Sequence, residues 1–413
     1  MATPLTTAPS NPALARKVPT GTPLQRVAAL TDVIRDGGDK AQQLRRLPQD
    51  CVDALIDAGI FRIAIPKELG GDDATITGTI EILEAISKVD ASVGWNVMLG
   101  SEINAMAAGG MDKALAKEVF LDNPRVVMCG GGGPGSQPSR AVRQPDGGYR
   151  VWGQSTFISG CHNATWCFMM APLMEGDSIA TDANGAPIIR SWFLHKDEYE
   201  ILDTWDVAGL RGSGSHDVRA NGAYVSEKWS SVQLLQLPSH YENPAFRVPV
   251  ALRLAYNKSA VAIGIARGAI DEFIQLAQTK VPWLTASALR DRPVAQQRLG
   301  EAEANLRAAR AYLMESMHAV EEELKRGREI PSPETTQAGR LACTHASNAS
   351  MHVVDLIHNT AGTTAMRMNC PLERKLRDAH GAATHRWVAH PLYAESGKIL
   401  LGHEATPEFM GLG

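Results

Sequence analysis

From residue 251 onward the chain reads as four long helical stretches, 251–277, 294–326, 333–360 and 372–401, with few prolines or glycines inside them. Each runs well past the roughly 11–12 residues of an average helix. Four lengths of this kind bury their apolar faces by packing antiparallel, so the C-terminal part is expected to be a four-helix bundle over 241–405. The last stretch also carries His380, His385 and His390, which makes its face chemically richer than packing requires.

The rest of the chain has a different texture. Ile76, Ile80, Leu83 and Ile86 recur at three- and four-residue steps, the pattern of an amphipathic helix, and 24–125 is expected to be helical. Beyond about residue 126 the period changes to two, as in YRVWGQSTF at 149–157, with further strand candidates at 166–171, 188–194 and 218–225. A β domain over 126–240 follows. The first 23 residues, rich in Ala, Pro, Thr and Ser, and the last stretch, 406–413, are expected to be tails.

Composition serves mainly to exclude. With 41 Lys and Arg against 45 Asp and Glu, there is no basic excess to hold nucleic acid. The uncharged run 151–174 contains Gln154, Ser155, His162 and Asn163, so it does not predict a membrane span. Six scattered cysteines without a secretory signal point to reduced thiols and a cytoplasmic protein. Cys161, His162 and Cys167, even with Cys343 and His345, match no zinc spacing, and no metal is expected.

Gly130–Gly133 lack the following helix that a phosphate-cradling loop needs. No G-x-S-x-G elbow is present, which disfavours hydrolase chemistry. Two segments hold concentrated polar chemistry. In 205–218, WDVAGLRGSGSHDV, Arg211, Ser213 and Ser215 lie among glycines between two strands; the alternative is a solvated hairpin loop. In FISG, Phe157 and Ser159 stand two apart, on one side of a strand, where a flat ring could stack on the first and bond to the second; the alternative is a core Phe beside a turn Ser.

Four segments, TFISG, WDVAGLRGSGSHDV, YNKSAVAIGIARGAIDEF and RDAHGAATHRWVAHPLY, together with the order helical, β, helical, resemble the acyl-CoA dehydrogenase superfamily over about 24–402. The resemblance implies an α+β fold: an N-terminal helical domain, a central β-barrel or sandwich and a C-terminal four-helix bundle. Dehydrogenases of this family remove an α-proton with a carboxylate at one of two places. Those positions are occupied here by Arg386 and Leu254, so a desaturase would lack its base.

His385, eight residues after Arg377, makes the chain similar instead to the flavin-dependent monooxygenases sharing this fold, including two-component aromatic hydroxylases and dibenzothiophene monooxygenases. That resemblance implies reduced FMN or FAD delivered by a separate NAD(P)H:flavin reductase, O2 activation as a C4a-hydroperoxyflavin, and one oxygen passed to a small, apolar, aromatic or polycyclic substrate. It places His385 at the flavin, Ser159 at flavin N5 and Phe157 against the ring, with the loop bearing Arg211, Ser213 and Ser215 holding the flavin. Arg290 and Arg292, near Ser287 at a helix start, are candidates for the flavin phosphate. Trp95 and His162 are substrate-pocket candidates. On a continuous helix His380 and His390 would each lie about 140° from His385, so only one of the three would face the flavin. The resemblance also implies a homotetramer. The competing expectations are an acyl-thioester dehydrogenase with an unplaced base and a flavin-binding relative without catalysis.

Overall fold

The computed structural model describes residues 20–230, 234 and 239–411. Most of the expected N-terminal tail, 1–19, and residues 412–413 lie outside them. The described chain begins with α1 (Pro23–Ala29), α2 (Thr31–Leu44), α3 (Gln49–Asp57), α4 (Ile76–Val89), α5 (Ala91–Gly110) and the short α6 (Lys113–Ala116). Local chemistry sets these limits. Thr75 and Asp90 cap α4 and α5 by accepting from the amides of Gly78 and Val93, and Gly59, with φ 68°, adopts the left-handed turn that follows α3.

A curled sheet follows: β1 (Met128–Gly131), β2 (Gly133–Pro134), β3 (Arg140–Arg143), β4 (Tyr149–Ile158), β5 (Trp166–Glu175), β6 (Ser178–Ile179), β7 (Ile189–His195), β8 (Tyr199–Leu202) and β9 (His216–Val225). Its main path is β1-β5-β3-β4-β9-β8, with β2 on β4 and β6 and β7 on β5. The four glycines sit in this sheet as packing positions, since a Cβ on Gly130 would meet the Phe168 ring at 2.2 Å. The antiparallel β4–β9 ladder slips between Ser155 and Ile158, and this irregularity frees Phe157 from the strand's alternation.

After α7 (Glu227–Ser230) come α8 (Val250–Thr279), α9 (Pro293–Lys325) and α10 (Pro333–Ala361), three long arms of a bundle. The fourth arm departs from the expected continuous helix over 372–401. It is two helices, α11 (Pro371–Ala383) and α12 (Leu392–Leu400), separated by the irregular segment 384–391. Pro391 explains part of the break, because proline lacks an amide donor and pushes its predecessor out of helical geometry. The helical-wheel separation of the three histidines therefore does not apply. Residues 406–411 are not a tail either: Thr406 caps α13 (Pro407–Met410), and Phe409 and Met410 are buried.

Two apolar cores result. One joins α2–α4 to α8–α11 through residues such as Ile34, Ile80, Val261, Leu313 and Val354; the other fills the sheet with Trp192, Phe193 and Val218. Helix α5 contributes Val97 and Met98 to the first and Ile103 and Met106 to the second. It is the wall shared by the sheet and the bundle.

Candidate active site

On that wall, one turn into α5, the Trp95 indole N–H donates to Ser159 Oγ at 3.1 Å. Ser159 Oγ lies 2.6 Å from Ser215 Oγ, which lies 2.7 Å from Ser213 Oγ, so three buried hydroxyls form one continuous chain. The edge of the His385 ring meets Trp95 at 5.6 Å between centroids. His385 Nδ1 accepts from the Trp387 amide at 3.4 Å, which leaves Nε2 to carry the proton of the neutral ring. Burial, with Lys258 and Arg386 nearby, pushes the imidazole down to about 3. It is neutral at pH 7.

Irregular backbone on both sides is fixed by buried polar side chains. In the loop before β9, Leu210 N–H donates to Asp378 at 2.6 Å, Gly212 N–H donates to Ser92 Oγ at 3.1 Å, and Asn96 donates to the Gly212 carbonyl at 3.2 Å. Gly209 and Gly212 permit this docking, since a Cβ would meet the Arg377 carbonyl oxygen at 2.0 Å and the Ala41 Cβ at 2.5 Å respectively. Burial, reinforced by the Asp90 carboxylate, raises the Asp378 carboxyl to about 6. In the 384–391 segment, Arg340 on α10 donates at 2.9 Å to the carbonyls of both Trp387 and Ala251, and its guanidinium lies over the Trp387 and Phe409 rings. Asn348 donates to the Val388 carbonyl at 3.0 Å.

Not every expected residue joins the cluster. The Phe157 ring does not share the buried side with Ser159: at φ 60° and 70% exposure it stands open to solvent beside the Trp205 ring. Arg211 is a structural tie, donating to the carbonyls of Gln42 and Val207 and to Asp206. His162 packs edge-on to His216 and lines a pocket of about 230 Å³ with Arg45, Arg46 and Asp203. None of Trp95, Ser159, Ser213, Ser215 or His385 lines that pocket. Arg290 donates to Gln278 in the α8–α9 link, and Arg292 stands at the start of α9. Among the described residues neither bonds to the Trp95–Ser159–His385 cluster. His380 pairs with Asp355, and His390 packs on Tyr393.

The site also contains residues that sequence reasoning passed over. Glu102 on α5 accepts from Lys258 at 2.5 Å and Asn257 at 2.7 Å, all buried. Burial raises the carboxyl and lowers the ammonium, and their mutual attraction opposes both shifts. One signal was available: Glu102 is the only charged residue between positions 91 and 111.

Family comparison agrees with this architecture. Residues 28–116 match the acyl-CoA dehydrogenase N-terminal domain and 256–390 the acyl-CoA dehydrogenase C-terminal domain. The chain is 30% identical to an indole-3-acetate monooxygenase of Acinetobacter baumannii over 88% of its own length and 89% of the relative's. The chain belongs to the acyl-CoA dehydrogenase superfamily. Within that superfamily it is a flavin-dependent monooxygenase, an oxidoreductase. It is also 27% identical to the flavin-dependent monooxygenase oxygenase subunit HsaA of Rhodococcus jostii, across 88% of this chain and 93% of that one. A solved 3-HSA hydroxylase from Rhodococcus shares the superfamily fold at a TM-score of 0.82 and 24% identity, covering 94% of this chain and 98% of the other. No helix among the described residues is long and apolar enough to cross a membrane.

Proposed function

We propose that this chain is the oxygenase component of a two-component system, taking reduced FMN or FAD from a separate NAD(P)H:flavin reductase and inserting one oxygen of O2 into a small aromatic substrate. The observation carrying this reading is the neutral His385 beside Trp95 and the Ser159–Ser215–Ser213 hydroxyl chain. No carboxylate occupies either dehydrogenase-base position, where Leu254 and Arg386 stand. The residues fit a flavin: an aromatic ring held open at Phe157 offers a stacking face, and buried hydroxyls two residues away offer hydrogen bonds to a ring nitrogen.

A bound reduced flavin supplies the two electrons that split O2 between substrate and water. Ser159, oriented by Trp95 and Ser215, holds the flavin edge. His385 would donate a hydrogen bond from Nε2–H toward the reacting oxygen, and because the ring is neutral it does so without a buried charge standing in the pocket. Trp95 and the apolar wall of α5 exclude water, which protects the activated oxygen from release as H2O2. The exposed Phe157 ring would offer the flavin an aromatic face from the solvent side. Ser213 and Ser215 support Ser159, while Arg211 anchors their loop. Arg290 and Arg292 remain phosphate candidates for a flavin reaching the α8–α9 link, and His162 a candidate for a remote part of a ligand.

A cytoplasmic location is supported by six free cysteines, of which Cys129 and Cys167 face each other across β1 and β5 without a disulfide. A homotetramer is the assembly proposed for the long bundle helices. The test is incubation with a generic flavin reductase, NADH, O2 and a panel of phenols, quinols and indoles including indole-3-acetate. A mass gain of one oxygen supports the reading. Bleaching of bound FAD by an acyl-CoA, with no oxygenated product, overturns it.

A further inference from the structure

Among the described residues four arginines are almost completely buried, and three have evident work. Arg26 bonds to the Ala58 carbonyl and pairs with Asp72, Arg62 donates to backbone carbonyls including those of Leu69 and Phe120, and Arg340 holds Trp387 and Ala251. Arg253 on α8, 2% exposed, is different. Among the described residues its guanidinium has no hydrogen-bond acceptor and no carboxylate within ion-pair reach, and both Nε and Nη2 are buried without a partner. The Phe246 ring lies 5.5 Å from the guanidinium carbon, and stacking of that kind leaves the in-plane N–H edge free. A buried cation left this way is destabilising unless something completes it.

The unpaired edge has a chemical meaning. Nε and Nη2 form the side-on fork that holds a carboxylate through two parallel hydrogen bonds. Its place relates it to the active site. Glu102 stands seven residues after Trp95 on α5, about two turns, so both occupy one side of that helix, roughly 10 Å apart along its axis. Glu102 bonds to Lys258, whose charge acts on His385, while Arg253 is close enough to act on Glu102 from one turn before Asn257. Glu102 is already engaged by Lys258 and Asn257, so it does not serve as the missing anion.

We propose that Arg253 binds a carboxylate on the substrate, so that the preferred substrate is an aryl-alkyl acid whose ring reaches the Trp95–His385 end of the α5–α8 interface. The inference rests on the monooxygenase reading and deepens it. The carboxylate supplies the charge that the free protein lacks at Arg253, and the two-pronged contact fixes the direction in which the ring points.

The test is anaerobic calorimetry of the full chain, free and loaded with dithionite-reduced FMN, using indole-3-acetate and phenylacetate against indole-3-acetamide and phenylacetamide. The acids are expected to bind roughly 30-fold or more tightly than the amides. Arg253→Met should remove that preference while changing amide affinity less than about threefold, and Arg253→Lys should retain part of it, because charge survives and the fork does not. Thermal unfolding of the unliganded Arg253→Met protein separates binding from folding: Tm should stay level or rise, since an unpaired buried charge is lost. Acids and amides binding alike, no binding of either, or a Tm drop of more than about 5 °C in the variant would each overturn the proposal. The two readings fail differently. Oxygenation of neutral aromatics with no acid preference removes the Arg253 anchor alone, whereas acid-selective binding with no oxygen incorporated into any panel compound removes the oxygenase reading.

Discussion

The seam where α8, α9 and α10 meet and the 384–391 segment lie in the same bundle but are held by different forces. In the seam, Leu313, Met317, Val353 and Val354 are fully buried, and cohesion comes from many small apolar contacts. In the segment, backbone carbonyls left by the broken fourth arm are satisfied by a few side chains, chiefly Arg340 and Asn348. The first arrangement yields stability spread over many residues. The second yields position, concentrated in very few, and His385 sits where position matters.

The widest separation between the two regions is expected from His385→Ala, which should lower product formation about 10²–10⁴-fold while flavin binding, followed by equilibrium dialysis, survives. Wild-type turnover by the variant would remove His385 from the chemistry. Leu313→Ala in the seam should do the opposite, costing about 2–5 kcal/mol in urea unfolding with specific activity of the folded protein retained. If activity falls as far as stability, the contrast is wrong. Arg340→Met should leave the Trp387 carbonyl unpaired and cost about 1–3 kcal/mol, with turnover falling further than in Leu313→Ala because Trp387 and then His385 lose their support. Ser159→Ala should weaken flavin binding by several-fold, roughly the worth of one hydrogen bond, and speed H2O2 release seen by stopped flow.

The smallest expected effect is a flat line. With the folded imidazole lowered from 6.5 to about 3, His385 stays neutral while the unfolded chain takes up a proton below about 6.5. Its contribution to stability is therefore fully present above 6.5 and lost as pH falls toward 3. Between pH 5.5 and 8 the oxygenation rate should show no inflection from His385, and His385→Asn should reduce the acid sensitivity of unfolding. An inflection near 6.5 that disappears in His385→Asn would show that the ring is solvated.

Much of the fold was legible because its signals are local. The three- and four-residue steps of Ile76–Ile86 give α4, and the alternation at 149–157 gives β4. Ser159 and His385 could be singled out, and the fold does bring both to Trp95. Phe157 was misplaced because the slip in the β4–β9 ladder depends on the partner strand. Arg290 and Arg292 looked suited to a phosphate by charge alone, which says nothing of where the α8–α9 link lies.

By itself, the sequence determined the order of helices and strands, the absence of a carboxylate at the dehydrogenase-base positions and the presence of His385 after the RDA segment. These depend on spacing along one chain. Only the tertiary structure decided that the fourth arm breaks at 384–391, that Arg340 and Asn348 hold the break, and that Arg253 is buried with no anion against it among the described residues. Glu102 and Lys258 are 156 positions apart, and Arg340 and Trp387 are 47 apart. Whether a buried charge is satisfied depends on what folding brings within about 3 Å of it, and no local pattern encodes that distance.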